Sequence, residues 1–338
     1  MNFINILNHI LRPLEWVVAQ LLTLFHHALV TFGMTAGPSP AWGIAIMCLV
    51  LVIRICLLPL FLSQMRAMQR IQVLQPQIQR IQHKYAARKD PRSKEVMQRE
   101  IMALQQRYNA NPLGSCLPSL IQAPILCSLF YTLQSLPAIA DGNAEPLGGI
   151  DHTMAGDIES SSIFGVRIAD SFGTVASPQS RIIIGVAVAL MCLTLFAIQW
   201  MLIHRNTSKD AMVSPQFRVQ KMTVFVFPAI YVVSGATLPF GVLLYWLTNN
   251  LWNLGQTLCQ LRWFPTPGSA AGERKARRDY EQDNRRRAAA GLPSLEEERA
   301  MAAREEAKAR REREKSAASR NRKQHKTPHL AKRSIVKR

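Results

Sequence analysis

Between Trp42 and Leu62 the chain reads WGIAIMCLVLVIRICLLPLFL, twenty-one residues with a single charge, Arg54. A helix rising ~1.5 Å per residue crosses a ~30 Å hydrocarbon layer with about that many residues. Arg54 then lies just past the midplane, where an arginine costs from ~3 to ~15 kcal/mol depending on the reference state. None of the five candidate spans contains Asp or Glu, so they supply no obvious buried counter-ion. The charge has to meet water, lipid phosphate or a visiting ligand.

Of the 338 residues, 48% are hydrophobic, yet the net charge is +19. Those figures fit together if apolar residues are bunched into spans and basic residues into loops and a tail. The six cysteines (Cys48, Cys56, Cys116, Cys127, Cys192, Cys259) all lie in apolar stretches, without CxxC spacing or a local His. They read as small apolar fillers, and no metal or other cofactor is expected.

In chain order, residues 1–40 come first. On a helical wheel Arg12, Glu15, Gln20, Thr23, His26 and His27 share one arc. Leu14, Val17, Val18, Leu21, Leu24, Phe25 and Leu29 take the other side. This is the pattern of an amphipathic helix lying in the membrane interface; the alternative is a sixth span. After Leu62 the first span leaves the membrane without a break and becomes a basic helical hairpin (63–110), turning at Asp90-Pro91. The hairpin is either a solvated connector or a mobile docking element. Further spans follow at 113–136, 182–203, 222–238 and 242–261, with a tight turn at Pro239-Phe240-Gly241. Together residues 41–263 form a five-helix membrane core.

Loop charge sets the orientation. The hairpin holds ten Lys/Arg against three acids, and the 137–180 loop six acids against Arg167. The positive-inside rule puts the N-terminus outside and the C-terminus in the cytoplasm. Residues 264–338 carry 22 Lys/Arg and 11 acids with few large apolar residues. This basic tail is expected to be largely disordered, with a polyanionic partner such as ribosomal RNA or lipid headgroups.

Polar residues within the spans fall at compatible depths. Ser115, Ser119 and Gln122 share a face of the second span. Tyr245, Thr248, Asn249, Trp252, Asn253, Gln256 and Gln260 share a face of the fifth, and Gln199 ends the third. All sit toward the cytoplasmic side, as does Arg54. Hydrogen bonding between helices accounts for any one of them. A one-sided, water-filled vestibule accounts for the whole set.

Three stretches carry a resemblance: RICLLPL (54–60), NPLGSCLPSLIQAP (111–124) and LPFGVLLYWLTNNLWNLGQ (238–256). In motif, order and spacing they resemble the YidC family of membrane protein insertases, in its short bacterial form without a large extracytoplasmic domain. The resemblance implies an all-α membrane protein: a five-transmembrane-helix insertase core with a cytoplasmic helical hairpin, in the bacterial plasma membrane. It places the family's groove arginine on Arg54, its glutamine on Gln122 and its aromatic pair on Tyr245 and Trp246. It places the apolar sliding surface on Leu126, Leu129, Phe225 and Val226. Some members have a threonine where this chain has Val50. The implied function is insertion and folding of nascent membrane proteins, with the ribosome, membrane lipids and the Sec translocon as candidate partners.

Two other classes are less well supplied. A secondary transporter or channel usually keeps acids in its spans, and this chain has none there. An enzyme lacks materials: no span histidine, no HExxH, no GxSxG and no GxxxxGK[ST] occurs.

Overall fold

The computed structural model describes residues 3–88, 90–108, 110 and 117–326, with side chains except those of 3–10, 117–120, 215–216 and 318–326. Eleven helices run in order among the described residues. They are α1 (Phe3–Thr31), α2 (Ala41–Cys56), α3 (Leu58–Tyr85), α4 (Pro91–Arg107), α5 (Leu117–Ala140), α6 (His152–Ser160), α7 (Pro178–Asn206), α8 (Pro215–Thr237), α9 (Phe240–Trp263), α10 (Ala270–Ala289) and α11 (Leu295–Lys326). The chain divides into two units, residues 1–273 and 274–338.

In the first unit α9 packs against α2 and α7, α7 against α8, and α5 against α1. One apolar core joins Val18 and Leu22 of α1, Trp42, Ile46 and Leu49 of α2, and Leu129, Leu133 and Leu136 of α5. Apolar length alone selects Leu11–Thr31, Ile121–Ala140, Pro178–Asn206, Phe217–Thr237 and the bent pair α2–α3 as candidate spans. Helix α9 falls short because its stripe of Asn, Gln and Thr lowers its hydropathy, although it sits at the centre of the packing.

The first span does not continue straight into the hairpin. The helix breaks at Leu57 and bends by 54°. Pro59 explains it: proline offers no N–H and its ring opposes the carbonyl four residues back, at Ile55. The hairpin beyond is fastened at its base. Leu74 and Ile78 pack on Ala110, and Gln79 donates to the carbonyl of Asp210 at 2.7 Å. Only its far half, α4, has no buried residue. The turn falls at the expected place, where Asp90 accepts from the Ser93 N–H at 2.8 Å. That cap holds the Asp90 carboxyl below its usual range.

Helix α1 departs from a simple two-faced wheel. Thr23 and His26, on its polar arc, are buried, while Trp16, Val17 and Leu24 are exposed. Thr23 is satisfied locally, whereas neither ring nitrogen of His26 has a hydrogen-bond partner among the described residues. The Thr23 hydroxyl donates to the backbone carbonyls of Ala19 and Gln20, and the His26 ring stacks on Trp42 at 3.8 Å. Gly148 lies against Ala19 and Gly149 against Thr23. Those loop residues follow the end of α5, and Trp42 begins α2. Helix α1 also packs on the bodies of α2 and α5, where Val18 and Leu22 join Leu49 and Leu129, and Leu11–Thr31 is long and apolar enough to span a membrane.

The 141–177 segment is a folded cap, where the sequence reading has only a polar loop. It contains α6 and a two-stranded antiparallel hairpin, β1 (Ser162–Ile163) and β2 (Val166–Arg167). Phe164 and Gly165 form its turn, both with positive φ, the geometry of a two-residue hairpin turn. The cap is bonded to the helix ends: Phe240 N–H to the Asp170 carbonyl at 2.7 Å, Gly241 N–H to the Ile168 carbonyl at 2.9 Å, and Ser39 N–H to the Ser161 hydroxyl at 3.0 Å. Two glycines admit it. A methyl on Gly43 would lie 1.9 Å from Cδ1 of Ile163, and one on Gly241 2.7 Å from Cγ2 of Ile168.

The tail unit is helical, where composition favours disorder. Its described residues build no apolar core: no residue of α11 with a described side chain is buried. Lys275–Asp279, Arg277–Glu281 and Arg310–Glu314 are i,i+4 ion pairs. Such pairs contribute a few tenths of a kcal/mol each on a chain rich in Ala, Glu and Arg, all strong helix formers.

The cap packing is testable. Gly43→Ala should lower stability by about 1–3 kcal/mol through overpacking. In an Ile163→Ala background most of that penalty should vanish. Thermal unfolding of the four proteins in nanodiscs measures it; additive effects would mean the two residues do not meet.

Candidate functional site: a polar groove around Arg54

None of α2, α3, α5, α7, α8 and α9 contains an acid. Arg54, in the last turn of α2, nonetheless has a partner. Its Nε donates to Oδ1 of Asn249 on α9 at 2.7 Å, and its Nη2 donates to the same oxygen. The guanidinium is held by a neutral amide, half-buried, at the wall of a cavity of about 560 Å³. That is space for on the order of ten or more waters, at ~30 Å³ each in the liquid.

Every helix of the expected five-helix core contributes to this cavity. Arg54 comes from α2, Gln122, Ala123 and Leu126 from α5, Leu195 and Gln199 from α7, Phe227 and Tyr231 from α8, and Asn249, Asn250, Asn253 and Gln256 from α9. The spacing of the α9 residues explains the convergence: 249, 253 and 256 recur at four and three residues, one helix face. Two buried polar atoms at the cavity, Oε1 of Gln122 and Nδ2 of Asn250, have no protein partner. Buried amide atoms left that way cost about 1–3 kcal/mol each. At the other end of the bundle, the cap with Ile163 and Ile168 fills the space between α2 and α9.

The structure thus gathers Arg54, Gln122, Gln199, Asn249 and Asn253 around one cavity. Ser115 lies outside the described residues, and so does the side chain of Ser119. Tyr245 does not line the groove directly. It is 1% exposed and takes part through its hydroxyl, which accepts from Gln122. Trp246 is also set back, stacked on Tyr231 with ring centroids 5.0 Å apart.

The apolar residues divide. Phe225 (75% exposed) and Val226 (47%) lie on the open face of α8, and Leu126 lines the cavity. Leu129 is corrected: at 0% exposure it belongs to the core with Leu49 and Leu133 and offers no sliding surface. One turn of α5 moves a leucine from the cavity wall into the core. Sequence reasoning missed Asn250 and Tyr231. Tyr231 is the one phenol in α8, a signal available in the sequence.

A helical membrane protein with an arginine-bearing polar cavity is the class these features define. The sequence model of the 60Kd inner membrane protein family matches residues 34–266. A protein named membrane protein insertase YidC from Bifidobacterium longum is 44% identical over 306 residues, 90% of each chain. Proteins of the same name from Streptomyces avermitilis (34%, covering 79% of this chain and 61% of that one) and Tropheryma whipplei (30%, covering 81% and 90%) also match. The chain belongs to the 60Kd inner membrane protein family.

Cysteines placed singly at 199 and 253 in a cysteine-free background should react with a water-soluble thiol reagent in nanodiscs. Cysteines at 129 and 225 should not: one is packed and the other faces hydrocarbon, where the reactive thiolate is not formed. Equal rates at all four positions would contradict a groove of this shape.

Proposed function

We propose that this chain inserts nascent membrane proteins into the bilayer and assists their folding. The observation that carries the reading is Arg54 in an acid-free cavity to which the five core helices all contribute side chains, with a packed cap at the opposite end. The proposed spans are α2 with the start of α3, then α5, α7, α8 and α9. Helix α1 lies along the outer interface. Loop charge puts the cap outside and the basic hairpin and tail in the cytoplasm.

The barrier to insertion is moving a short polar segment through ~30 Å of hydrocarbon. A groove hydrating the inner half shortens the dry path. Arg54 offers a transient partner to carboxylates or carbonyls of the passenger. Helices α5 and α8 both line the cavity, so a passenger helix leaves between them, along Leu126, Phe225 and Val226. Its burial in lipid, at ~25 cal/mol per Å² of apolar surface, drives the step. No bond is made or broken, and no cofactor is needed.

Arg54→Ala should leave protein level unchanged and reduce insertion unevenly. Passengers whose translocated segment carries Asp or Glu should lose most, because an opposite charge counts for more at reduced dielectric. Arg54→Lys should retain much of the insertion of acidic passengers. Matched passengers differing only in segment acidity, made in a cell-free system with proteoliposomes, supply the measurement. Normal insertion of both by Arg54→Ala removes the charge from the mechanism.

The ribosome is the proposed partner of the tail and hairpin. Removal of residues 268–338 should weaken ribosome binding, and the native binding should fall steeply with salt as counter-ions are released. Co-sedimentation at 50 and 200 mM salt measures it. Binding indifferent to truncation or to salt assigns the contact elsewhere.

A further inference from the structure

Resting on the insertase reading, we infer that Asn249 is a positioning residue: it holds Arg54 with a neutral acceptor, so that an acidic passenger segment can take the guanidinium over. Three observations lead there. Nε and Nη2 of Arg54 both donate to the single Oδ1 of Asn249. Both residues line the same cavity. No helix around that cavity contains an acid, so no carboxylate of the core competes for the charge.

The choice of an amide has a chemical consequence. Arginine carries five N–H donors, of which Asn249 engages two. Among the described residues the fork is therefore fixed in direction but not saturated, and its remaining donors have no partner there. Hydrogen bonds to a carboxylate are roughly twice as strong as those to a neutral oxygen. An entering Asp or Glu can therefore displace Asn249 and gain by doing so. A protein carboxylate at position 249 would close that route. It would neutralise Arg54 permanently, with the planar fork-to-carboxylate geometry that arginine suits best. Without any acceptor, the guanidinium would lose its aim across the groove but keep its charge.

Neighbouring groups are consistent with a neutral site. Asn250 accepts from the Tyr231 hydroxyl at 3.4 Å, and Gln122 donates to Tyr245. The polar contacts around Arg54 are thus amides and phenols, none of which matches a carboxylate as an acceptor.

The test is the ratio of acidic to neutral passenger inserted by the full-length protein in proteoliposomes, with protein level checked by blot. Asn249→Asp should lower that ratio roughly tenfold, the order expected when a charge-assisted bond replaces a neutral one. It should thereby approach Arg54→Ala. Asn249→Ala should lower the ratio by a smaller factor, because the fork keeps its charge but loses its aim. Asn249→Gln, which restores an amide acceptor, should recover it; a native ratio in Asn249→Ala would overturn the positioning role. A residue needed only for packing would make the two substitutions fail alike, on both passengers. If Arg54→Ala lowers the ratio but Asn249→Asp does not, the proposal for Asn249 is wrong and the reading of Arg54 stands. If Arg54→Ala leaves the ratio native, both fall. Should Asn249→Asp not accumulate, Asn249→Gln decides: a ratio recovered toward native supports the proposal, and one lowered as far as in Asn249→Ala overturns it.

Discussion

A guanidinium inside a helix bundle without carboxylates has to keep contact with water, and much of this structure serves that requirement. Arg54 shares its cavity with apolar side chains, Leu57, Phe61, Leu126 and Phe227 among them, as well as with amides. It is turned across the groove to an amide on α9, on the wall of a cavity with room for solvent. A cavity of that size has room for water to share the cost of carrying the charge into the bilayer. Amide atoms of Gln122 and Asn250 beside the cavity are without described protein partners, as are polar atoms of His26, Trp42, Ser128 and Thr132 away from it.

Hydration of one end demands closure of the other. The cap seals the bundle with two isoleucines, and two glycines in the first turns of α2 and α9 make room for them. Helix α1 adds to that end, with His26 stacked on Trp42. At the opposite end the break at Leu57 turns α3 aside, so the hairpin leaves the bundle at an angle while Gln79 fastens its base. The molecule is tight where the cap is and open where the basic loops are.

The sequence was most legible where chemistry is rare in its surroundings. A lone arginine in an apolar run, amides at helical spacing in α9 and Asp90-Pro91 between two amphipathic segments each led to a feature of the fold. It was least legible where chemistry repeats. Leu126 and Leu129 differ in nothing but position, yet one lines the cavity and the other is in the core. In a membrane, hydropathy does not separate lipid-facing from packed leucines, because both surroundings are apolar. The cap was missed for another reason. Its strands are two residues long, and its order depends on tertiary bonds to residues 39, 240 and 241. The tail went the other way: its composition argues against a core and for disorder, but high helix propensity needs no core to set the backbone.

The central claim is that water reaches Arg54 from one side only. A spin label at position 253, in a cysteine-free protein reconstituted with known orientation, reports this directly. Its relaxation by a water-soluble nickel chelate would be recorded with the chelate on either face of the vesicle, and compared with relaxation by oxygen. The account predicts strong relaxation by the chelate from the face bearing the basic hairpin and little from the cap side. Equal relaxation from both faces, or relaxation by oxygen alone, would contradict it.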